Sequence, residues 1–453
     1  MIKTRVCIIG AGTGGIGCAY RLIRRGVDTV IIDKNPDYGG TMTFGGIDGW
    51  EPGVSLDGIH LLIKDELEKI PFGAHVVDTV PNLALLDPDA LTKPETHSFA
   101  ERPWGYNHPM GGTYADTLAR CERLRGGKPA RRYQFDKDAF ITALRSIFEP
   151  YSARLTELFG YSFISCDFEG DRIKAVTVRR GKDELRIEAE VFVDASGDIV
   201  LARAAGCEYA FGTEGKDEFD EPSACGPSES VNAVTYAFRV TKTPDPCYVN
   251  RLPEEISELD LEEWERDRMR RTVSLIVRYP NGNLHVNMLP TMEGAEYFSL
   301  GERADAIGRA RVQKYWHYLQ TEKGLSGYTL KEISAAGVRE SYRLRGRYVL
   351  SERDLRHGAP IGADLSGRTV AIADHHMDVH GEGGLSSAME KPYEIPIECT
   401  MTKEFDNLFV ACRGASFTHI AASSARLSRT ILSLGEGVGD YIADTLRYTG
   451  EPN

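Results

Sequence analysis

The sequence predicts an α/β protein that carries an inserted, sheet-based domain. Apolar periodicity places a strand at 5–10, a helix at 14–25 and a second strand at 29–33. Strand-forming runs recur much later, at 231–240 and at 272–289, and the second of them contains an Asn-Gly hairpin signal. A strand–helix–strand opening followed by separate sheet segments indicates an α/β fold with an insertion.

Composition limits the partners of the chain. It has 453 residues and a formal net charge of −13, with 42% hydrophobic and 27% charged residues. A general basic surface for nucleic acid or anionic lipid is absent, so an anionic ligand would need a local basic pocket. No apolar run approaches the roughly 20 residues that span a membrane, and no secretory signal opens the chain. We expect a cytoplasmic protein without nucleic-acid or membrane partners, and the choice between monomer and homo-oligomer stays open.

The nine cysteines argue against several kinds of site. No two of them have the C-x-x-C spacing of zinc, redox-disulfide or ferredoxin-type iron–sulfur sites. A disulfide reductase and a sequence-local metal cluster are therefore disfavoured, and most of the thiols are expected to be buried and free.

Residues 10–15 read GAGTGG, which is G-x-G-x-x-G between a strand and a helix. Gly10 permits the tight turn, Gly12 lets a pyrophosphate approach the backbone, and Gly15 allows close helix–strand packing. The free N–H groups of the helix start face the phosphate charge. Asp33 ends the second strand, where a carboxylate can accept hydrogen bonds from ribose hydroxyls. The pattern predicts a dinucleotide with an unphosphorylated ribose, FAD or NAD, rather than NADP.

Two further glycine-containing turns bear on the choice between FAD and NAD. Residues 39–46 read GGTMTFGG, and a flavin needs backbone close by beyond the pyrophosphate, whereas an NAD dehydrogenase does not require a second cluster there. A glycine-rich surface turn is the alternative. DASGD at 194–198 follows the strand VFV and again suits close approach to a dinucleotide.

The pair GAGTGGIG…IIDK and FVDASGD…ARAAG resembles the FAD-dependent oxidoreductases with a glutathione-reductase-like FAD fold, which are distantly related to fumarate-reductase flavoproteins. Residues 338–350 (VRESYRLRGRYVL) and 395–426 are similar to two further family segments. The resemblance runs from residue 2 to about 443 and is weakest in 50–130 and 212–330. The chain departs from the family pattern at Tyr342, Cys412 and Ser423.

The resemblance implies a discontinuous Rossmann-like FAD-binding domain with an inserted α+β substrate domain. We expect the FAD-binding domain at 1–50, 130–225 and 390–453, a substrate or cap segment at 51–129, and the substrate domain at 226–389. The cofactor is expected to be FAD. The residues expected to bind it are Gly10, Gly12, Thr13, Gly14, Gly15, Asp33, Lys34, Gly40, Thr41, Ala195, Ser196, Gly197, Arg413, Gly414, Ala422 and Ser423.

The resemblance also points to residues for chemistry. It implies a late helix start at Ala421–Ser424 facing the flavin, with His419 nearby to donate a hydrogen bond or shuttle a proton. Arg426 lies seven residues beyond His419 and can share its side of a helix. Buried, structural roles are the alternative for both residues. The resemblance covers Asp378 and His380 in ADHHMDVHGEG as a lip of the substrate pocket and implies no metal.

The segment 338–350 holds four arginines at odd positions, so an extended chain would place them on one face as a carboxylate or phosphate clamp. The members of this row are Arg339, Arg343, Arg345 and Arg347. Arg343 is our first choice as a substrate-binding residue, and a solvated, ion-paired strand is the alternative.

These observations predict an FAD-dependent dehydrogenase or reductase that transfers a hydride between flavin N5 and a small, carboxylate-bearing substrate. A redox-neutral or monooxygenating flavoenzyme, a non-catalytic flavin-binding protein and an NAD-dependent dehydrogenase are the alternatives. Trp104, Tyr106 and His108 either cover the flavin face or pack on one another in a loop.

Overall fold

The computed structural model describes residues 1–50, 58–78, 131–259, 261–279, 281–361, 365–381 and 384–449. In chain order its strands are β1 (Ile2–Ile9), β2 (Thr29–Asp33), β3 (Gly49–Trp50), β4 (Ala74–Asp78), β5 (Arg131–Phe135), β6 (Leu155–Phe159), β7 (Ser162–Glu169), β8 (Arg172–Arg180), β9 (Asp183–Asp194), β10 (Tyr209–Ala210), β11 (Ala237–Lys242), β12 (Val273–Arg278), β13 (Leu284–Leu289), β14 (Tyr328–Ile333), β15 (Arg343–Leu344), β16 (Thr369–Ala373), β17 (Met377–Val379), β18 (Leu385–Ser387), β19 (Tyr393–Pro396) and β20 (Leu408–Val410). Its α-helices are α1 (Thr13–Arg24), α2 (Ile59–Leu67), α3 (Lys137–Phe148), α4 (Val200–Ala204), α5 (Lys216–Phe219), α6 (Glu262–Asp267), α7 (Gly294–Leu300), α8 (Ala304–Glu322), α9 (Glu352–His357), α10 (His419–Ala425) and α11 (Ser428–Thr449).

The larger sheet confirms the predicted α/β class. Its order is β6-β2-β1-β9-β8-β7, and β20 pairs with the carboxyl end of β9. The pairs β6–β2, β2–β1, β1–β9 and β9–β20 are parallel, while β8 and β7 add an antiparallel edge. All five residues of β2 are buried, as expected of a parallel strand covered on both faces. β1, β2 and β9 end at Ile9, Asp33 and Asp194, so these residues share the edge where open α/β sheets bind ligands.

The first helix packs against the last one through glycines. A Cβ on Gly14 would lie 1.7 Å from the carbonyl oxygen of Ala411, and a Cβ on Gly435 would lie 2.1 Å from that of Gly14. Glycine is a poor helix former in isolation, but α11 contains Gly435 because the contact with Gly14 leaves no room for a side chain. These contacts also fix the start of α1 against β20 and α11, at the ligand-binding edge of the sheet.

A second sheet, with the order β12-β13-β11-β14, is antiparallel throughout and has its own core. Along β13 the side chains alternate between its two faces. Leu284, Val286 and Met288 lie in the core cluster that also contains Trp316 of α8. On the opposite face, the Nε2 atom of His285 lies 2.9 Å from the carbonyl oxygen of Gly46. This sheet therefore faces the loop that follows β2.

A buried carboxylate joins the two parts of the fold. Asp48 is fully buried, and its Oδ2 atom accepts hydrogen bonds from Arg239 Nη2 at 2.7 Å and from the Tyr279 hydroxyl at 2.6 Å. Burial alone would raise the pKa of Asp48, but the charges of His285 and Arg239 lower it to about 2. The carboxylate is therefore ionised at neutral pH and holds the second sheet against the loop before β3.

Two segments with helical periodicity are interrupted. In 136–158 the helix ends at Phe148, a 3₁₀ turn containing Pro150 follows, and β6 begins at Leu155. Residues 253–271 are divided into two 3₁₀ turns and α6. The proposed domain boundaries stay a prediction.

Candidate active site

The glycine turn after β1 has the shape of a phosphate cradle. Gly10 has φ +111°, and a Cβ there would lie 2.3 Å from the carbonyl oxygen of Ala195, so this position requires glycine. A Cβ on Gly12 would meet nothing within 4 Å, because this residue borders open space at the start of α1. An unobstructed backbone at a helix N-terminus fits the pyrophosphate of a dinucleotide.

The acid that ends β2 is held by its own loop. The Oδ2 atom of Asp33 accepts a hydrogen bond from Ala11 N at 2.7 Å, and Oδ1 accepts from Asn35 N at 2.8 Å. Burial raises the pKa of Asp33, and these hydrogen bonds oppose the rise. The Asn35 side chain also donates to Oδ1, at 2.9 Å, so Oδ2 is the oxygen that keeps a lone pair for a ribose hydroxyl, which fits the role predicted for this acid.

A cavity of about 420 Å³ begins at this turn and continues between the two sheets. Its lining falls into a dinucleotide end, an apolar middle and a cationic end. Of the predicted cofactor residues, those that line it are Gly10, Gly12, Thr13, Gly14, Asp33, Lys34, Gly40, Thr41, Ala195, Ser196, Gly197 and Arg413. Three sequence segments that are far apart in the chain thus meet at one cavity, and their contact with FAD stays a prediction.

Four predicted cofactor residues lie outside the cavity lining, because each is used for packing. A Cβ on Gly15 would lie 1.9 Å from the carbonyl oxygen of Gly10, and one on Gly414 would lie 2.6 Å from Ile199 Cγ2. Ala422 and Ser423 are buried within α10, where the Ser423 hydroxyl donates to the carbonyl oxygen of Ile420 at 2.7 Å.

Near the C-terminal end of the chain, the helix start that reaches the cavity is that of α11, not Ala421–Ser424. Leu427, Ser428, Arg429 and Ile431 line the cavity. The small residues of α10 instead let it pack under the segment 373–380, where the Ser424 hydroxyl donates to the carbonyl oxygen of His375. The cavity therefore meets the N-terminus of the 22-residue α11 in addition to that of α1.

Two predicted catalytic residues, Arg343 and His419, lie in a buried network outside the cavity lining. Arg343 is fully buried, and its guanidinium donates to Glu214 Oε1 at 2.7 Å and to Glu340 Oε1. His419 Nδ1 lies 2.9 Å from Glu340 Oε2, and its backbone N–H donates to Glu214 at 2.8 Å. Every one of these contacts is internal, so the geometry gives both residues a structural role.

The four arginines of segment 338–350 do not form a single row. Arg339 lines the cavity, Arg343 is buried in the network above, Arg345 pairs with Glu218 at 3.0 Å and Arg347 pairs with Asp406 at 2.8 Å. Only Arg343–Leu344 is a strand, so the alternation assumed for a longer extended segment does not hold.

The other two predicted catalytic residues, Arg426 and His380, meet at Asp378 in the cationic end. His380 Nε2 lies 2.7 Å from Asp378 Oδ2, and Arg426 Nη2 lies 3.5 Å from the same oxygen. Burial alone would raise the pKa of Asp378, but hydrogen bonds from His376 and His380 and the charge of Arg426 hold it well below its usual range. The Asp378 carboxylate is therefore ionised and accepts a hydrogen bond from the Nε2–H group of His380.

His380 is neutral at neutral pH. Burial lowers its pKa, and the charge of Arg339 lowers it further, against the opposing effect of Asp378. With Nε2–H held by Asp378, the tautomer leaves Nδ1 as the basic atom. A neutral imidazole oriented by a carboxylate is suited to accept a proton.

His375, His376 and Asp378 place one ligand atom each within 4.8 Å of one another. Such a group could hold a metal ion, but the Arg426 guanidinium beside Asp378 opposes a second cation there. The absence of a metal therefore stays a prediction.

Several lining residues were missed by the sequence motifs. They come from the second sheet and from the edge of the first, and they are Leu275, Asn287, Leu289, Tyr161, Ser162 and Phe163. The alternation along the predicted hairpin could have placed Asn287 and Leu289 on one face, but not against this cavity. Trp104, Tyr106 and His108 lie outside the described residues. Among the helices of the described part, none has the length and apolar character to cross a membrane.

Comparisons with known proteins agree with this geometry. The family model described as "FAD dependent oxidoreductase" matches residues 85–450, and that of an NAD(P)-binding Rossmann-like domain matches residues 8–67. The glutamate synthase [NADPH] small chain of Halomonas elongata is 56% identical over 41 residues, which is 9% of each chain. The putative oxidoreductase AegA of Escherichia coli is 48% identical over 44 residues, 10% of this chain and 7% of that protein. The chain thus spans less than a tenth of the length of these curated relatives.

Solved structures are similar to this chain at low sequence identity. A ternary complex of aklavinone-11 hydroxylase with FAD and aklavinone has a TM-score of 0.50 at 10% identity, covering 99% of this chain and 63% of that one. A geranylgeranyl bacteriochlorophyll reductase-like protein of Thermoplasma acidophilum has a TM-score of 0.48 at 11% identity, covering 99% and 80%. The family match over most of the sequence and the glycine cradle lead to one conclusion: the chain belongs to the FAD-dependent oxidoreductase family, and FAD is its cofactor.

Proposed function

We propose that the protein is an FAD-dependent dehydrogenase or reductase acting on a small, carboxylate-bearing substrate. The observation that carries this proposal is the cationic end of the cavity, where Arg339 and Arg426 line the same space as the glycine cradle. Bound FAD supplies a site at flavin N5 that accepts or donates a hydride. The protein's task is to bind and orient the substrate and to move its proton.

The two arginines are held by the backbone, which prepares them for an anion. Arg339 Nη1 donates to the carbonyl oxygen of Ala233 at 2.8 Å and to Thr235 Oγ1 at 2.7 Å. Arg426 Nη2 donates to the carbonyl oxygen of Asp378 at 3.0 Å. Both arginines also line the cavity, so a substrate carboxylate that enters it meets two guanidinium groups, whose hydrogen bonds to carboxylates are charge-assisted.

We assign the transfer of the substrate proton to His380. Asp378 holds its Nε2–H at 2.7 Å, so Nδ1 can take a proton from a substrate hydroxyl or amine while the hydride leaves the neighbouring carbon. In the reductive direction the same nitrogen returns the proton. The ionised Asp378 stabilises the imidazolium in between, and the arginines hold the substrate carboxylate.

Anaerobic titration of the purified flavoprotein with pools of small carboxylates tests the proposal. We expect one pool to bleach the flavin absorbance. With the active compound, R339Q and R426Q should weaken binding about 10- to 100-fold, because each removes a charge-assisted hydrogen bond. R347Q is the matched control, since its arginine pairs with Asp406 outside the cavity lining. Turnover that requires O2 and an external reductant would contradict the assignment and favour a monooxygenating enzyme.

A further inference from the structure

Asn287 of β13 presents a buried amide to the cavity. Asn287 is 6% exposed and lines the cavity, and its Oδ1 atom has no hydrogen-bond partner among the residues the structure describes. Buried side-chain oxygens of folded proteins nearly always have a partner, because an unpaired one costs stability. A side chain of this kind at the wall of a ligand cavity points to a partner within the ligand.

Asn287 lies near the loop that contains Gly46, and this loop borders the part of the cavity expected to hold the dinucleotide. Its cross-strand neighbour is Ala237, and a Cβ on Gly46 would lie 2.9 Å from the Ala237 Cβ. His285, on the same face of β13, contacts the carbonyl oxygen of Gly46, and Asn287 follows about 7 Å along the strand. Gly46 lies in the loop that begins with the cavity-lining Gly40. Asn287 therefore lies beside the loop that borders the path of the dinucleotide.

The surroundings of Asn287 suit a flat ring with a polar edge. The neighbouring cavity wall is apolar and consists of Ile47, Leu275, Leu289 and Val338. Leu275 pairs directly with Asn287 across the sheet. Phosphates and ribose would gain little from such a wall, whereas the flavin ring system has apolar faces and hydrogen-bonding atoms along one edge.

We propose that the Asn287 amide hydrogen-bonds the polar edge of the flavin ring of FAD. The second sheet then supplies a direct contact to a cofactor whose phosphates and ribose are bound by the first. Asn287 is a cofactor-binding residue in this assignment, and the network of Asp48 and His285 fixes its position through the docking of the sheet.

The test compares N287A with S274A, a matched control on the adjacent strand. Ser274 is fully buried and its hydroxyl lies 2.7 Å from that of Tyr315 on α8, away from the cavity. We expect N287A to raise the Kd for FAD about three- to tenfold, the effect of one neutral hydrogen bond. Its apoprotein should melt at the same or a higher temperature, because an unpaired buried oxygen has been removed. S274A should melt lower and keep the wild-type Kd for FAD.

An N287A protein with the wild-type Kd for FAD and the wild-type flavin absorbance spectrum would overturn the assignment. The same holds if the only change is weaker binding of a small carboxylate, which would make Asn287 a substrate contact. N287D is the second variant, because it keeps the size of the side chain. A carboxylate at the ring should lower the flavin midpoint potential, since reduction adds negative charge, and an unchanged potential would also overturn the assignment.

Discussion

Replacing Arg343 by methionine separates a substrate-binding role from a structural one. The guanidinium is fully buried between Glu214 and Glu340 and also donates to the carbonyl oxygens of Gly212 and Phe417, at 2.6 and 3.1 Å. Methionine fills most of the volume but leaves two buried carboxylates with one cation fewer. Breaking a buried pair in this way costs about 3–5 kcal/mol. We expect the lower end, because His419 remains beside Glu340.

Denaturant unfolding of the apoprotein measures this loss, and FAD binding and substrate titration of the folded variant measure function. We expect R343M to unfold at a much lower denaturant concentration while the folded fraction keeps the wild-type Kd for FAD and for the substrate. R347Q, which breaks a half-exposed pair, should cost at most about 1 kcal/mol. If R343M lost less than about 1 kcal/mol yet bound substrate poorly, the structural reading of Arg343 would be wrong.

Three further outcomes follow from the site and its supports. G12A adds a methyl group that meets no protein atom within 4 Å, so the apoprotein should keep its stability while FAD binding, measured by fluorescence, weakens at least tenfold. The pKa of Asp48 is lowered from 3.8 to about 2, so its ionised carboxylate stabilises the fold by roughly 2 kcal/mol above pH 3.8. This contribution is lost as the pH falls towards 2, and D48N should therefore flatten that part of the plot of unfolding free energy against pH. The lowered pKa of His380 should place the acid limb of flavin reduction below pH 6.5, and R339Q, which removes a charge that lowers this pKa, should move the limb to higher pH. An R339Q limb at the wild-type pH would contradict the assignment of His380 as the base.

The local motif was sufficient to predict a dinucleotide site, because a dinucleotide imposes local rules, while the choice of FAD over NAD came from the second glycine cluster and the family resemblance. Gly10 needs its positive φ and Gly12 needs open space, and both requirements act within a few residues of one turn. Asp33 ends the strand that β1 pairs with, so its position follows from the βαβ unit alone. These features can be inferred from spacing, since each depends on neighbours in the chain.

The substrate end could not be inferred in the same way, because its walls come from distant segments. Asn287 lines the cavity only because the second sheet docks on the loop at Gly46, and that docking depends on Asp48, His285 and Arg239 together. No local pattern encodes such a contact. Alternation along a strand predicts which residues share a face but not what the face meets.

Arg339 and Arg343 lie four residues apart in one arginine-rich segment, and charge alone gives no reason to prefer either for binding an anion. The residues that surround each arginine do give such a reason. Arg343 is enclosed by Glu214 and Glu340, so its charge is neutralised inside the protein, and an added carboxylate would find no free cation there. Arg339 Nη1 donates to a carbonyl and to a hydroxyl, which are both uncharged, and the charge of Arg339 acts on His380 in the cavity. We therefore propose Arg339, which lines the cavity, rather than the enclosed Arg343 as the residue that binds a substrate carboxylate. The distinction depends in part on Glu214, Ala233 and Thr235, each more than a hundred positions away from its arginine in the sequence.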